Sequence, residues 1–363
     1  MGRRALTMLG LAVAVLAQAS GPPITAGTRS ERLQEPSSGL LRSWQVVTPA
    51  FGPLRTQTLR YLDATADGSA WIVLPLRKII RINALGHVTH DIEGLPSPSW
   101  SLRAISMVSP TDGWVVGTEG TFAHWDGVRW KEHRSFVHSK DRVDLEAITM
   151  VGPNDGWACM RNVPRDTPVP STLMRWNGTL WYFYETHQMG CQAISMPSAT
   201  DGWLLGSSGN LLHFDGIAWT EVRSPTTEGL RDIDMIDASD GWAVGGSTAL
   251  HYDGLAWREA PVPGLAIALG VDFVSPTHGW VLTHKGTLRF DNGTWTSVPL
   301  PLDTREGEDD PYYTYDIEML GVDDGWIVGT MGQVFRYGRG AGCYPITPKH
   351  LCPLLLPSLG GAL

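Results

Sequence analysis

Residues 102–130 read LRAISMVSPTDGWVVGTEGTFAHWDGVRW. Short apolar runs are separated here by Pro110-Thr111-Asp112-Gly113, by Gly117-Thr118-Glu119-Gly120 and by Asp126-Gly127. No apolar period of three to four residues persists, and punctuation this dense marks four short strands rather than helix. We label them A (the Leu-Arg-x-Ile-x-Met run), B (Gly-Trp-x-Val-Gly), C (ending in His-aromatic) and D (opening on Trp).

The unit recurs along the chain. Gly-Trp returns as Asp155-Gly156-Trp157, Asp201-Gly202-Trp203, Asp240-Gly241-Trp242, His278-Gly279-Trp280 and Asp324-Gly325-Trp326, with a looser first copy at Asp67-Gly68-Ser69-Ala70-Trp71. The seven tryptophans are spaced by 43, 43, 46, 39, 38 and 46 residues. Ten or eleven residues after the Trp, or nineteen in the unit lengthened by the insert 159–171, comes an echo: Trp125-Asp126-Gly127, Trp176-Asn177-Gly178, Phe214-Asp215-Gly216, Tyr252-Asp253-Gly254 or Phe290-Asp291-Asn292-Gly293. Four strands in about 42 residues, repeated in series, are the signature of a β-propeller. The last unit ends at Arg336-Tyr337-Gly338 without a D strand, and an orphan D strand, Ser43-Trp44-Gln45-Val46-Val47, precedes the first. The spacing therefore predicts an all-β, seven-bladed propeller of four antiparallel strands per blade, its N-terminal strand closing the last blade so that no edge stays open.

Outside residues 43–338 the chain changes character. Residues 1–19 carry a signal-peptide pattern: Arg3 and Arg4, the apolar run Ala5 to Leu16, and Ala17-Gln18-Ala19 as a cleavage site. Residues 20–42 read as a flexible linker and 339–363 as a Pro/Leu-rich tail. A secreted or extracytoplasmic protein is expected. No apolar stretch approaches the roughly 20 residues needed to span a bilayer. Only 18% of the 363 residues are charged, and the formal net charge is −9. That balance argues against nucleic acid or anionic lipid as a partner.

Repetition also disciplines the reading of individual residues. Of sixteen Trp, all but Trp100 fall at repeated positions, which points to packing between blades before any carbohydrate platform. His124, His213 and His251 share one slot with Arg81, Arg175, Arg289 and Arg336. One residue per blade cannot converge on one ion, so neither metal nor cofactor is expected, and a planar basic group stacked at the end of strand C is. The Asp of each Asp-Gly pair is expected to be a turn residue that leaves Gly the positive φ. Four Cys allow three pairings, and the local pairs Cys159–Cys191 and Cys343–Cys352 are favoured in an oxidising compartment.

The A–B and C–D turns are short and alike, whereas the D–A and B–C connections vary, as at 131–143, 159–171, 182–190 and 296–313. Variable loops on a rigid frame are where recognition is placed. One position at the start of strand A on this face reads Arg60, Arg103, Glu146, Gln192, Arg231, Leu269 and Tyr315 through the blades. Three Arg beside Glu, Gln and Tyr around an opening suit an acidic or sugar-like ligand; the same charges also suit a plug in which Arg103 pairs with Glu146.

The unit Gly-Trp-x-Val-Gly-x-x-Gly followed by Asp-Gly-x-x-Trp resembles the BNR-type repeats of secreted propellers. These include the photosystem II assembly-factor-like family and, more distantly, the Asp-box propellers of bacterial sialidases. The resemblance spans about residues 43–338. Only Asp291-Asn292-Gly293-Thr294-Trp295 approaches the Asp-box, one residue short, and the sialidase Arg-Ile-Pro triplet is missing from the sequence. Assembly-factor repeats usually read Asp-Gly-Gly-x-Thr-Trp, one residue longer than here. The resemblance bears on fold; because blade architecture explains every polar motif found, the expected function is that of an exported, non-catalytic module that binds a protein or glycan, monomeric or part of a surface complex. The alternative is a sialidase-like hydrolase or lyase using Glu146 or the run Glu306–Asp310, which needs two carboxyls about 5–9.5 Å apart.

Overall fold

The computed structural model describes residues 42–47, 57–74, 78–92, 101–133, 143–161, 172–184, 189–284, 286–301 and 314–338. They form seven antiparallel four-stranded sheets arranged as a propeller. Among the described residues the only helical elements are single 3-10 turns, at Thr118–Gly120, Ser207–Gly209 and Thr330–Gly332. Ser43–Val46 pairs antiparallel with Val334–Gly338, Ser43 facing Gly338 and Val46 facing Phe335, so the N-terminal strand completes blade 7 as expected. Strand A is innermost and strand D outermost in every blade.

The core lies between blades. Seven apolar clusters each join one blade to the next, including one that ties Trp326 and Val334 of blade 7 to Leu62 and Ile72 of blade 1. Fourteen of the tryptophans are buried and Trp295 is half-buried, while Trp100 lies outside the described residues. The strand-B Trp of one blade meets the strand-D Trp of the next edge to face. Examples are Trp114 with Trp181 at 5.5 Å and 84°, and Trp203 with Trp257 at 5.3 Å and 85°. Edge-to-face packing of this kind adds to area burial.

The Gly-Trp and Ile-x-Met motifs are two halves of one contact. Met107 faces Gly113 across the A–B pair, and a Cβ on Gly113 would stand 2.3 Å from its sulfur. Met150 and Met319 cover Gly156 and Gly325 in the same way, and Phe273 covers Gly279.

The aspartates divide into two roles where the sequence suggested one. Asp126, Asp215 and Asp253, with Asn177, are turn residues as expected: each side chain accepts from the backbone N–H groups two and three residues on. Gly127, Gly178, Gly216 and Gly254 follow at φ of 83–88°. The strand-B aspartates are different. Asp112, Asp201 and Asp240 bind the imidazoles of His124, His213 and His251 at 2.7, 3.0 and 2.9 Å, and Asp155 and Asp324 grip Arg175 and Arg336 with both oxygens. Each of these basic groups lies on the strand-B Trp of its own blade, as in His213 on Trp203 at 4.4 Å and Arg336 over Trp326 at 4.9 Å. Asp-Gly at the head of strand B thus serves a buttress of Asp, basic ring or guanidinium, and Trp. The Gly there is needed for the Met contact, with no positive φ.

Cys159, in strand B of blade 3, is joined to Cys191, which opens strand A of blade 4, with Cα atoms 5.9 Å apart. Cys343, Cys352 and the run 306–310 lie outside the described residues, as do the signal-peptide region and residues 20–41 of the linker.

Candidate functional site

Strand A enters the ring on the loop-rich face with a defect. In blades 2, 3, 4, 6 and 7 the A–B register slips by one residue, at Arg103, Glu146, Gln192, Leu269 and Tyr315. A β-bulge leaves its extra residue unpaired and re-aims its side chain. In blades 1 and 5 the equivalent residues, Arg60 and Arg231, sit directly before Tyr61–Ala64 and Asp232–Asp237. In blades 2 and 5 a glycine ending strand B permits the crossing. Any Cβ on Gly117 would be 2.2 Å from the Ser101 carbonyl oxygen, and one on Gly245 would be 2.5 Å from that of Gly229 and 2.7 Å from the Arg231 nitrogen.

The result is one cavity of about 490 Å³ whose wall includes all seven residues of the slot: Arg60, Arg103, Glu146, Gln192, Arg231, Leu269 and Tyr315. Arg103 donates to Glu146 at 2.8 Å and lies 3.5 Å from Asp144, realising the expected pair. Arg60 stacks over the Tyr315 ring at 4.9 Å. Leu269 is buried and Gln192 half-buried, while Arg60 and Arg231 are exposed. Among the described residues Arg231 has no ion-pair partner. The cavity also recruits Arg161, at the end of blade 3's strand B, which the repeat pattern did not single out.

Below the mouth lies a feature that sequence reasoning missed. Three residues past each mouth position is the residue paired with the strand-B Trp: Asp63, Ser106, Thr149, Ser195, Asp234, Asp272 and Glu318. Most of these staple adjoining blades. Asp63 accepts from the Met107 N–H, Ser106 from Met150 at 3.0 Å, Ser195 from Met235 at 3.0 Å, Asp234 from Phe273 at 2.7 Å and Asp272 from Met319. One level higher, in the cavity wall, Asp232 accepts from Val271 at 2.9 Å and Asp316 from Leu62 at 2.8 Å. Six carboxyl groups thus occupy blades 5, 6, 7 and 1, while blades 2, 3 and 4 offer Ala, Ser and Thr. Burial pushes Asp232 up to about 6 and Asp63 and Asp234 up to about 7, against the pull of the backbone N–H bonds. Burial, and then the charge of the neighbouring acids, holds Asp272, Asp316 and Glu318 well above the ordinary carboxyl range.

No protein-family model matches the sequence, and no curated protein matches it either. Solved structures do. The chain is similar to YCF48 bound to D1 peptide, with a TM-score of 0.64 and 16% identity over 82% of this chain and 97% of that one. It is similar to YCF48 from Cyanidioschyzon merolae, at 0.63 and 16% over 82% and 99%. The RRP9 WD40 repeats follow at 0.63 and 11% over 82% and 97%. At these identities the likeness is one of fold.

Proposed function

We propose that this chain is a non-catalytic binding scaffold, working outside the cytoplasm, which captures an acidic segment of a partner protein at the channel mouth. One observation carries the reading: a bulge or strand start in every blade aims seven side chains of five kinds at a single cavity, three of them arginines. Residues that repeat faithfully serve the frame, and this slot is where repetition stops. Basic groups around a low-dielectric opening attract an anion more strongly than the same groups on a convex surface. The Glu146 carboxylate is occupied by Arg103, which favours binding over acid–base chemistry. The likeness to a propeller solved with a peptide bound supports a partner of peptide size.

The test is capture of a hexaglutamate peptide carrying a dye whose emission is insensitive to pH. Arg60→Ala, Arg103→Ala and Arg231→Ala together should abolish salt-sensitive capture without changing the melting temperature. Undiminished capture by a folded triple variant places the ligand elsewhere. Cell fractionation of the full-length chain tests the location, and a product confined to the cytoplasm would overturn that part.

A further inference from the structure

We infer that pH sets the mouth's grip on an acidic partner: protons on Asp232 and Asp316, in the wall of the cavity, keep it attractive, and their loss switches it off. The inference rests on the mouth being the acidic-segment site proposed above.

Both carboxyls line the same cavity as the arginines. Each is fixed by two backbone N–H groups: Asp232 by Val271 and Ile233, both at 2.9 Å, and Asp316 by Leu62 at 2.8 Å and Ile317 at 3.0 Å. Held this way, neither carboxyl is spent on an arginine, and among the described residues neither has an ion-pair partner. The groups facing them are mostly acidic. Blade 5 adds Arg231 and Asp234, and blade 6 adds Asp272. Blade 7 adds Tyr315 and Glu318, and blade 1 adds Arg60, Tyr61 and Asp63. Blade 4 presents only neutral Gln192, Ala193 and Ser195.

The charge count makes the switch. Arg60, Arg103, Arg161 and Arg231, set against Glu146 and Asp144, leave the mouth at about +2 while Asp232 and Asp316 hold their protons. Ionising that pair brings it to about zero, and ionising the deeper acids drives it negative. Burial places Asp232 at about 6 and Asp316 well above the ordinary range, so the first positive charge is lost near pH 6 and more is lost as pH rises further. Glutamates in a peptide ionise near 4.3, so the probe itself only gains charge over that rise. A fall in affinity with rising pH therefore comes from the wall.

The experiment measures hexaglutamate affinity by anisotropy from pH 5.5 to 8 at fixed low ionic strength. Wild type should weaken on the order of tenfold, and Asp232→Asn/Asp316→Asn should weaken less over the same range, the remainder being the loss of protons from Asp63 and Asp234. Calorimetry of wild type near pH 6.5, in two buffers of different ionisation enthalpy, should show net proton uptake on binding; this readout does not depend on the double variant folding. Affinity that is flat or rises with pH, with binding still lost in the triple arginine variant, overturns this inference and leaves the mouth reading intact. Zero proton uptake does the same. Absence of binding at every pH removes both.

Discussion

Trp44→Ala tests the closure of the ring through a single side chain. Trp44 is 3% exposed and sits in the strand that completes blade 7. Its ring meets Trp280 of blade 6 at 5.4 Å and Tyr337 of its own blade at 5.2 Å, and its indole N–H donates to Thr287 at 3.2 Å. The residue therefore ties the N-terminal strand to blades 6 and 7. A buried Trp covers about 150–250 Å², which at about 25 cal/mol per Å² is on the order of 4–6 kcal/mol. Truncations of this kind elsewhere cost about 3–5 kcal/mol. For a domain of this size 1 kcal/mol moves the midpoint by about 2 °C, so a fall of about 6–10 °C is expected.

The assay is thermal melting followed by Trp fluorescence and circular dichroism, with two truncations alongside. Removing residues 20–40 leaves the closing strand and should be nearly silent. Removing 20–47 strips the strand and bares the edge of Val334–Gly338, and should cost more than Trp44→Ala. Trp295→Ala, at the same strand-D position but only half-buried, should cost less. A Trp44→Ala cost below about 1 kcal/mol, or equal melting of the two truncations, would refute the closure argument.

Three further outcomes are expected. Gly245→Ala should destabilise more than Gly202→Ala, although the latter's Cβ would meet an atom at 1.9 Å: that atom is the mobile Met196 sulfur, whereas Gly245 faces the backbone of Gly229, Leu230 and Arg231. Denaturation melts that rank them the other way would show that backbone approach does not control this crossing. Reducing Cys159–Cys191, which closes a separation of 32 residues, should lower stability by about 3–4 kcal/mol, read from urea melts with and without reductant. Stability should fall as pH rises from about 4 to 7: the fold raises Asp63, Asp232 and Asp234 above the usual 3.8, so their contribution is complete below that value and lost through about 6–7. For Asp232 alone the loss is about 3 kcal/mol, and Asp63→Asn should flatten the profile, whereas stability rising steadily from pH 4 to 8 would contradict it. Surface turn acids such as Asp126 and Asp253 are shifted downward by their hydrogen bonds and oppose this only below about pH 4.

Blade count, strand order and closure were legible because each rests on residues within one repeat, or on the arithmetic between repeats. The mouth slot was legible because all seven of its occupants fall at one repeat position, whatever their chemistry. Partnerships across strands were not. Asp112 and His124 stand twelve residues apart, and each fits a local explanation, so nothing in the sequence announces their bond. Gly113 looked like a turn glycine until Met107 was seen lying across it. The acids of the channel hid for another reason: Asp63, Asp234, Asp272 and Glu318 alternate with apolar residues, as solvent-facing positions of a strand do. One signal was available. Their slot holds a side-chain oxygen in every blade, as Asp, Ser, Thr, Ser, Asp, Asp and Glu. An unbroken demand for an acceptor marks an inter-strand hydrogen bond, since solvent exposure alone tolerates any polar group.

That slot also separates what the frame requires from what the channel carries. Ser106 and Ser195 hold the next blade's N–H at 3.0 Å, and Asp234 holds its own at 2.7 Å. A hydroxyl therefore suffices to staple neighbouring blades, at no charge and with little desolvation. A carboxyl at the same place must either keep its proton or ionise beside other acids, and a buried, unpaired charge costs several kcal/mol. Asp232 and Asp316 make the point more sharply, because Ala104, Ala147, Ala193 and Gly270 fill the equivalent position in four other blades with no acceptor at all. The fold stands without them. Their place in the wall of the cavity that holds Arg60 and Arg231, next to the slot whose side chains the frame does not dictate, ties their cost to the mouth, and a wall whose charge changes with pH is what such groups supply there.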